Sequence, residues 1–486
     1  MCGFIGFLGP DSGHAVQIIY DGLIALQHRG QDAGGIITFN GAFHLHKGGG
    51  LIRDIFDQPA IDRLKGPVGI GHVRYPTWGG GSHEDAQPFL VQHPYGIAIA
   101  HNGQVTNFDE LKDELIHKNR RHINSGCDVE VILHVLADEL DHAVKEGTEP
   151  TFAHIKQAVA GVHRRVKGAY SVVAMVAGVG LIAFRDPHGI RPMVVGTKVI
   201  DGQTCVLAAS ESVILDFAGF TDYGDLAAGE MLFVDFATRT VRREVLPTAK
   251  AHRPCIFEFI YFARPDGLQD NISVYHARIR NGATLAEAWR RAGAPTPDVI
   301  MPVPDSARPA AIEMAVRLGV KYREGLIKNR YIGRTFIMPG NQDRRRAVRT
   351  KLNTVRHAFE GRDVLLVDDS IVRGNTIKEL IQMARNAGAR KVYFASYAAP
   401  LKFPCVYGID MSTKRDFIAR DRSTDEVRDM VGADYLLYQS IEDMVEATRP
   451  SDDGKPEFCT ACFTGEYPTG DVPADVLAHF EAARTS

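Results

Sequence analysis

Cys2 is the first residue whose type and place could do chemistry. Once an aminopeptidase removes Met1, this one residue carries both a thiol and a free α-amine. The amine, with a reference pKa near 7.7 to 8.0, can take the thiol proton directly or through water. Such a residue is a nucleophile with its own base, and no separate histidine is needed. A second constellation lies far along the chain. The apolar run Val364 to Val367 delivers two carboxylates, Asp368 and Asp369, into the small-residue loop Ser370-Ile371-Val372-Arg373-Gly374-Asn375-Thr376, which opens a helix. The N–H groups at that helix start can bind a phosphate. The carboxylates suit ribose hydroxyls and a hydrated Mg²⁺, a hard cation that uses few protein ligands. A third group is Cys459-Thr460-Ala461-Cys462, with Cys255 and Cys405 upstream. Thiolates at this spacing can bind zinc or an iron–sulfur cluster, or act as a redox pair, and four unrelated buried thiols would look the same.

The elements that must position these residues change character along the chain. The first half reads as short strands with Gly-rich turns: Gly3 to Gly9, Gly34 to Phe39, Val68 to Val73, Gly96 to Ala100, Tyr170 to Val176, Gly180 to Phe184, Val206 to Ala209 and Glu230 to Val234. Two helical patterns, Ala15 to Gln27 and Cys127 to Leu140, interrupt them. Strands in runs with helices clustered elsewhere predict layered sheets covered by helices. From Asp298 the order alternates: strand Val299 to Val303, helix Ala307 to Arg317, strand Asp363 to Val367, a helix from about Thr376, and strand Lys391 to Ser396. That order predicts a parallel sheet. The boundary is expected between Val241 and Arg253.

Composition limits the function classes. The chain has 486 residues, 56 basic and 59 acidic, a formal charge of -3 and 45% hydrophobic residues. This is the mix of a soluble globular protein of two or three domains, with no global sign of a nucleic-acid surface. The longest apolar run, Val172 to Phe184, is too short and too rich in Gly and Ala to span a bilayer; it predicts a strand, a turn and a second strand. A cytoplasmic protein without membrane association is expected. Seven cysteines in a chain with no export signal favour thiols or metal ligands over bridges.

Four segments together carry a family resemblance. Cys2-Gly3 to Gly6, His28-Arg29-Gly30-Gln31-Asp32, Gly71-His72-Val73-Arg74-Tyr75-Pro76-Thr77 and His101-Asn102-Gly103 resemble the glutaminase domain of the N-terminal-nucleophile (class II) amidotransferases. The resemblance implies an α+β domain, a layered αββα sandwich, over residues 2–250. It also implies roles. Cys2 would attack the glutamine amide, while Asn102 and the backbone N–H of Gly103 form the oxyanion hole. Arg74 would pair with the substrate α-carboxylate and Asp128 would hold its α-ammonium. Thr77, His72 and Gly30 would support the pocket.

Val364 to Thr376 resembles the phosphoribosyl pyrophosphate loop of the type I phosphoribosyltransferases, implying an α/β domain with a parallel sheet over residues 251–486. Asp368 and Asp369 would face the ribose and a metal, while Ser370, Val372, Arg373, Gly374, Asn375 and Thr376 cradle the 5-phosphate. Asn375 departs from the family's threonine but can still donate to phosphate. Pro302 to Arg308 resembles the pyrophosphate loop, with Asp305 and Ser306 in the site and Ser306 joining Asp368 and Asp369 around Mg²⁺. Lys328 to Phe336 resembles the closing loop, in which Lys328 and Arg330 would meet the pyrophosphate. The basic run Arg344-Arg345-Arg346 with Arg349 and Lys351 is either an allosteric phosphate site or plain surface.

Both halves together resemble the glutamine phosphoribosylpyrophosphate amidotransferases. The segments around Cys255, Cys405, Cys459 and Cys462 resemble the branch of that family in which four cysteines ligate a [4Fe-4S] cluster. Cys127 and Cys205 are expected to be core thiols. The implied activity makes 5-phosphoribosylamine, glutamate and pyrophosphate, with ammonia crossing a shielded passage, and opens purine synthesis. Purine nucleotide inhibitors and a homotetramer are family expectations. Two other readings carry different sequence signs. A hexosamine-forming amidotransferase would have a sugar-isomerase second half, and a non-catalytic nucleotide sensor would be expected to lack Cys2, Asp368 or Asp369.

Overall fold

Strand β1 (Gly3–Leu8) shows how the first half is layered. Its side chains alternate: Phe4 and Leu8 enter one hydrophobic cluster, Ile5 and Phe7 another, and all four are buried. A strand apolar on both faces must be covered on both. The structure, a computed structural model, describes residues 2–75, 83–145, 147–329, 351–411, 413–449, 457–473 and 476–478.

After β1 come β2 (Ala33–Phe39), β3 (Phe43–Gly49), β4 (Val68–Arg74), β5 (Phe89–Val91), β6 (Ile97–Val105) and β7 (Gly168–Val176). The first half closes with β8 (Gly180–Arg185), β9 (Val194–Ile200), β10 (Gln203–Ala209), β11 (Asp222–Asp225), β12 (Glu230–Asp235) and β13 (Val241–Val245). Two antiparallel sheets result, in the orders β11-β9-β10-β1-β4-β2-β3 and β13-β12-β8-β7-β6-β5. Phe4, Ile37 and Ile70 of one sheet meet Ala98, Ala100, Val173 and Met175 of the other in the middle layer. Helix Ala15–Ala25 covers the outside of the first sheet. Helices Asp128–Ala143 and Phe152–Arg165 cover the second. This is the expected αββα sandwich. The run Val172 to Phe184 is the expected hairpin, with Gly178 at φ +70° in its turn. Strand β3 and helix Phe152–Arg165 were not legible: β3 is half-exposed with weak alternation, and the helix presents a polar outer face.

In the second half β14 (Leu268–Gln269) and β15 (Ile272–Ser273) form a small hairpin. Strands β16 (Val299–Pro302) and β17 (Lys321–Tyr322) follow, then β18 (Leu326–Lys328) pairs with β19 (Leu352–Thr354). With β20 (Asp363–Asp368), β21 (Lys391–Ser396) and β22 (Tyr435–Tyr438) the parallel sheet has the order β17-β16-β20-β21-β22. Along β20, Val364 and Leu366 face one cluster and Leu365 and Val367 the other, as a sheet covered on both sides requires. No helix among the described residues is long and apolar enough to cross a membrane.

Close packing fixes how helix Ala15–Ala25 lies over β1 and β4. A Cβ at Gly71 would come 2.3 Å from Ile19 Cγ2 and 2.9 Å from Leu23 Cδ1. Gly71→Ala must therefore push the helix off the sheet that carries Cys2 and Arg74. It should cost about 1–3 kcal/mol, read as a lower urea midpoint with an unchanged slope.

Candidate active site

Cys2 sits at the end of β1, buried, with its backbone nitrogen 3.4 Å from Asn102 Oδ1 and its Sγ 3.6 Å from the Tyr75 carbonyl oxygen. Asn102 lies on β6. Its Nδ2 is buried with no acceptor among the described residues. A fixed, unsatisfied donor beside a nucleophile is what a developing oxyanion requires. Gly103 follows on β6, and a Cβ there would fall 2.0 Å from the Ala169 oxygen and 2.7 Å from Tyr170 Cα, so only glycine lets the strands close.

Arg74 ends β4. Its Nη1 donates to Cys127 Sγ at 2.9 Å and its Nη2 to Asp85 Oδ2 at 3.4 Å. Burial alone would lower its pKa, but the neighbouring thiols and Asp85 outweigh that, and it stays charged. Burial pushes the Cys127 thiol up to about 12, so it remains neutral. Cys127 is thus a core thiol, as expected, that also meets Arg74. Asp128 opens its helix, where the macrodipole favours negative charge. Its Oδ2 accepts from the Val105 N–H at 2.9 Å and its Oδ1 lies 3.4 Å from His101 Nε2. Burial opposes its ionisation, yet His101, the Val105 N–H and Arg74 hold its carboxyl below the usual range. One anion, Asp128, and one cation, Arg74, thus lie in the same buried neighbourhood.

His72 is buried, with Nε2 3.1 Å from the His101 carbonyl oxygen, and burial keeps its pKa well below the ordinary value. It is a neutral brace for the strand carrying Asn102. A Cβ at Gly30 would come 2.6 Å from the Arg74 carbonyl carbon, so Gly30 lets the loop lie against the end of β4. Thr77 lies outside the described residues, as do Arg330 and the run Arg344 to Arg349.

The second cluster is at the carboxyl ends of β16 and β20, where open parallel sheets place their ligands. Ser306 Oγ donates to Asp369 Oδ2 at 2.5 Å and Ser370 Oγ to Asp369 Oδ1 at 2.6 Å, while the Asp369 N–H donates to Asp368 Oδ1 at 2.9 Å. Burial and the facing charge raise the Asp368 pKa well above the ordinary value. Burial raises that of Asp369 too, against its two serine donors. Gly374, at φ +75°, turns the loop into helix Asn375–Asn386, and a Cβ there would strike Ile418 at 2.2 Å. Val372 holds that neighbour by accepting from the Ile418 N–H at 2.9 Å. Arg373 pairs with Asp416 at 3.3 Å. Lys328 Nζ donates to Asp305 Oδ2 at 2.9 Å, joining β18 to the loop after β16.

Two expectations are corrected. The first is the [4Fe-4S] cluster and, with it, the iron–sulfur branch. Cys255 and Cys459 do adjoin as bridged backbone segments, and all four thiols are buried in one hydrophobic cluster. Yet no group of three or more His, Cys, Asp or Glu among the described residues is placed to hold a metal ion. Burial raises the pKa of Cys255 to about 11, and that of Cys459 and Cys462 well above the ordinary value. Buried thiols packed among Phe257, Phe458 and Phe463 serve as core instead. The second correction is Mg²⁺ on Ser306, Asp368 and Asp369. No third carboxylate, histidine or thiol joins the aspartate pair in a metal-holding group. Both carboxylates are drawn instead toward the neutral form by burial.

Sequence reading passed over several residues. Tyr75 links the sites, its hydroxyl donating to Asp410 Oδ2 at 2.9 Å. Gly408, at φ +95°, lies so close to Gly103 that a Cβ would come 2.8 Å from the Gly103 oxygen. Asp85 and Arg29 complete the surroundings, Arg29 Nε donating to the Cys2 carbonyl at 3.0 Å. Tyr75 and Arg29 stood inside the quoted motifs, and Gly408 and Asp410 inside the segment around Cys405 that was read only for its cysteine; Asp85 gave no chemical signal of its own.

Fold and sites together define a two-part amidotransferase, an N-terminal-nucleophile glutaminase joined to a phosphoribosyltransferase. Residues 73–216 match the glutamine amidotransferase domain and residues 269–402 the phosphoribosyl transferase domain. The amidophosphoribosyltransferase of Pseudomonas aeruginosa is 49% identical over 486 residues, covering 100% of this chain and 96% of its own. That of Escherichia coli is 46% identical over 488 residues with the same coverage. Among solved structures, glutamine phosphoribosylpyrophosphate amidotransferase from B. subtilis, complexed with ADP and GMP, is similar with 38% identity. Its TM-score is 0.83, over 96% of this chain and 97% of that one. A structure described as the allosteric regulatory enzyme of purine biosynthesis gives 38% and 0.86, over 99% of both chains. The chain belongs to the amidophosphoribosyltransferase family, and it is an enzyme.

Two tests follow from this geometry. Raised pKa values at the aspartate pair mean that it contributes stability at acidic pH, which is lost as the pH rises through the folded values. Asp368→Asn should therefore raise the melting temperature at neutral pH by on the order of 2 °C, with the gain shrinking toward about pH 4. Calorimetry across that range checks it. Gly408→Val must part the two glycine backbones, so glutamate release from glutamine should fall by about tenfold or more in a folded protein.

Proposed function

We propose that residues 2–250 form the glutaminase unit, with Cys2 as its nucleophile, and residues 251–486 the phosphoribosyltransferase unit. The activity is transfer of ammonia from glutamine to 5-phosphoribosyl-1-pyrophosphate, the first step of purine synthesis. The observation that carries the assignment of Cys2 is the unsatisfied Asn102 amide beside a buried terminal thiol.

The α-amine of processed Cys2 takes the thiol proton, and Sγ attacks the glutamine amide carbon. Asn102 Nδ2 and the Gly103 N–H receive the oxyanion. The protonated amine returns its proton to the departing nitrogen, leaving a thioester and ammonia, and water then releases glutamate. Arg74 pairs with the α-carboxylate, replacing part of its contact with Cys127 and Asp85, while Asp128 receives the α-ammonium. Thr77, His72 and Gly30 support this pocket.

In the second unit the N–H groups from Ser370 to Thr376, with Arg373, Asn375 and Thr376 side chains, hold the 5-phosphate. Val372 and Gly374 set the loop's path, and Asp368 and Asp369 accept from the ribose hydroxyls. Asp305 and Ser306 flank the pyrophosphate, to which Lys328 and Arg330 bring positive charge. Ammonia attacks the anomeric carbon as pyrophosphate leaves. Purine nucleotides regulate the reaction; the B. subtilis relative's complex with ADP and GMP supports this. The assembly is a homotetramer.

Cys2→Ala should abolish glutamine-driven synthesis of phosphoribosylamine and leave synthesis from high ammonia intact. Pyrophosphate release measured with each nitrogen source checks it, and loss of both routes would remove Cys2 from its role.

A further inference from the structure

Cys2 lies immediately before β1. Its carbonyl is held by Arg29 Nε, and Arg29 is wholly buried. A guanidinium cut off from water needs acceptors for its other donors and a balancing charge. Glu211 supplies one, accepting from Nη1 at 2.5 Å. The other comes from beyond the first half. Glu258 accepts from Nη2 at 2.6 Å through Oε1 and from Nη1 at 3.1 Å through Oε2. Arg191 also donates to Glu258. All four side chains are buried, two cations against two anions. Glu258 follows Cys255, Ile256 and Phe257, which belong to the hydrophobic cluster of the second half.

We infer that Glu258 is a positioning residue for glutamine cleavage: it orients Arg29, and through it the Cys2 carbonyl, so that the packing of the second half sets the attack geometry in the first. The inference rests on the reading of Cys2 as nucleophile. The glutamine contacts assigned to Arg74 and Asp128 are separate from this network, so its loss should act on turnover rather than on binding. Neutralising Glu258 leaves two buried cations facing one carboxylate, and Arg29 then shifts toward Glu211. A displacement near 1 Å at a nucleophile can cost on the order of 100-fold in rate.

The test uses the full-length enzyme. Glu258→Gln keeps the shape and removes one charge. Expected are a fall in kcat for glutamine of about tenfold or more and a matching fall in the rate of Cys2 alkylation by iodoacetamide. The KM for glutamine and the ammonia-driven synthesis should stay unchanged, and Glu258→Asp should recover part of the loss. Folded Glu258→Gln with parental turnover and alkylation overturns the inference. So does parallel loss of glutamine- and ammonia-driven synthesis, which would mark a purely structural residue. If Glu258→Gln does not accumulate folded, Arg29→Lys is measured instead, because lysine keeps the cation but cannot donate at once to the carbonyl and both carboxylates. The same selective fall then supports the inference, and unchanged turnover overturns it. Retention of glutamine turnover in Cys2→Ala would instead sink the nucleophile reading itself, and the variant showing it tells the two failures apart.

Discussion

A buried guanidinium is the constraint around which the glutaminase half is arranged. With no water to receive its N–H groups, Arg29 must find every acceptor in protein, and it finds them in three separate stretches of chain. Removing one partner of such a network typically costs about 3–5 kcal/mol, because the remaining charge is left uncompensated. The same residues that hold the Cys2 carbonyl therefore also clamp the first half to the second. Arg185 repeats the device, donating to Asp270 at 2.8 Å across the same boundary.

At the other site the constraint has the opposite sign. Asp368 and Asp369 are forced together at the end of a sheet covered on both faces, where serine hydroxyls, a backbone N–H and the charge of Arg278 offset their charge only in part. The pair is strained toward protonation in the free protein. A ligand presenting hydroxyl donors relieves that strain, so binding energy goes into a pocket that is already formed and poorly satisfied. Stability is given up where recognition is needed.

Much of this was legible in the sequence because it is local. Alternation in Gly3 to Leu8, the Gly-rich hairpin after Val172, and the strand–Asp–Asp–helix order each declare their structure within a dozen residues. The motifs holding Cys2, Arg74, Asn102 and Asp128 stand in order in the sequence, and Cys2 lies against Asn102. What stayed hidden depends on distance. Glu258 lies 229 positions from Arg29, inside a segment that was read only for its cysteine. Cys127 was read as core and is core, but its contact with Arg74 was not legible. The four later cysteines misled for the converse reason. Their spacing suits a cluster, but aromatic packing and burial leave thiols rather than a ligand set.

The contact between Gly103 and Gly408 bears on the order in which the protein is made. Domains fold as they emerge from the ribosome, amino end first. Cys2, Asn102 and Asp128 are all synthesised early, yet the strand carrying the oxyanion donor is backed by a glycine that leaves the ribosome some three hundred residues later. A nascent chain can thus shape its glutaminase pocket long before the surface that braces it exists.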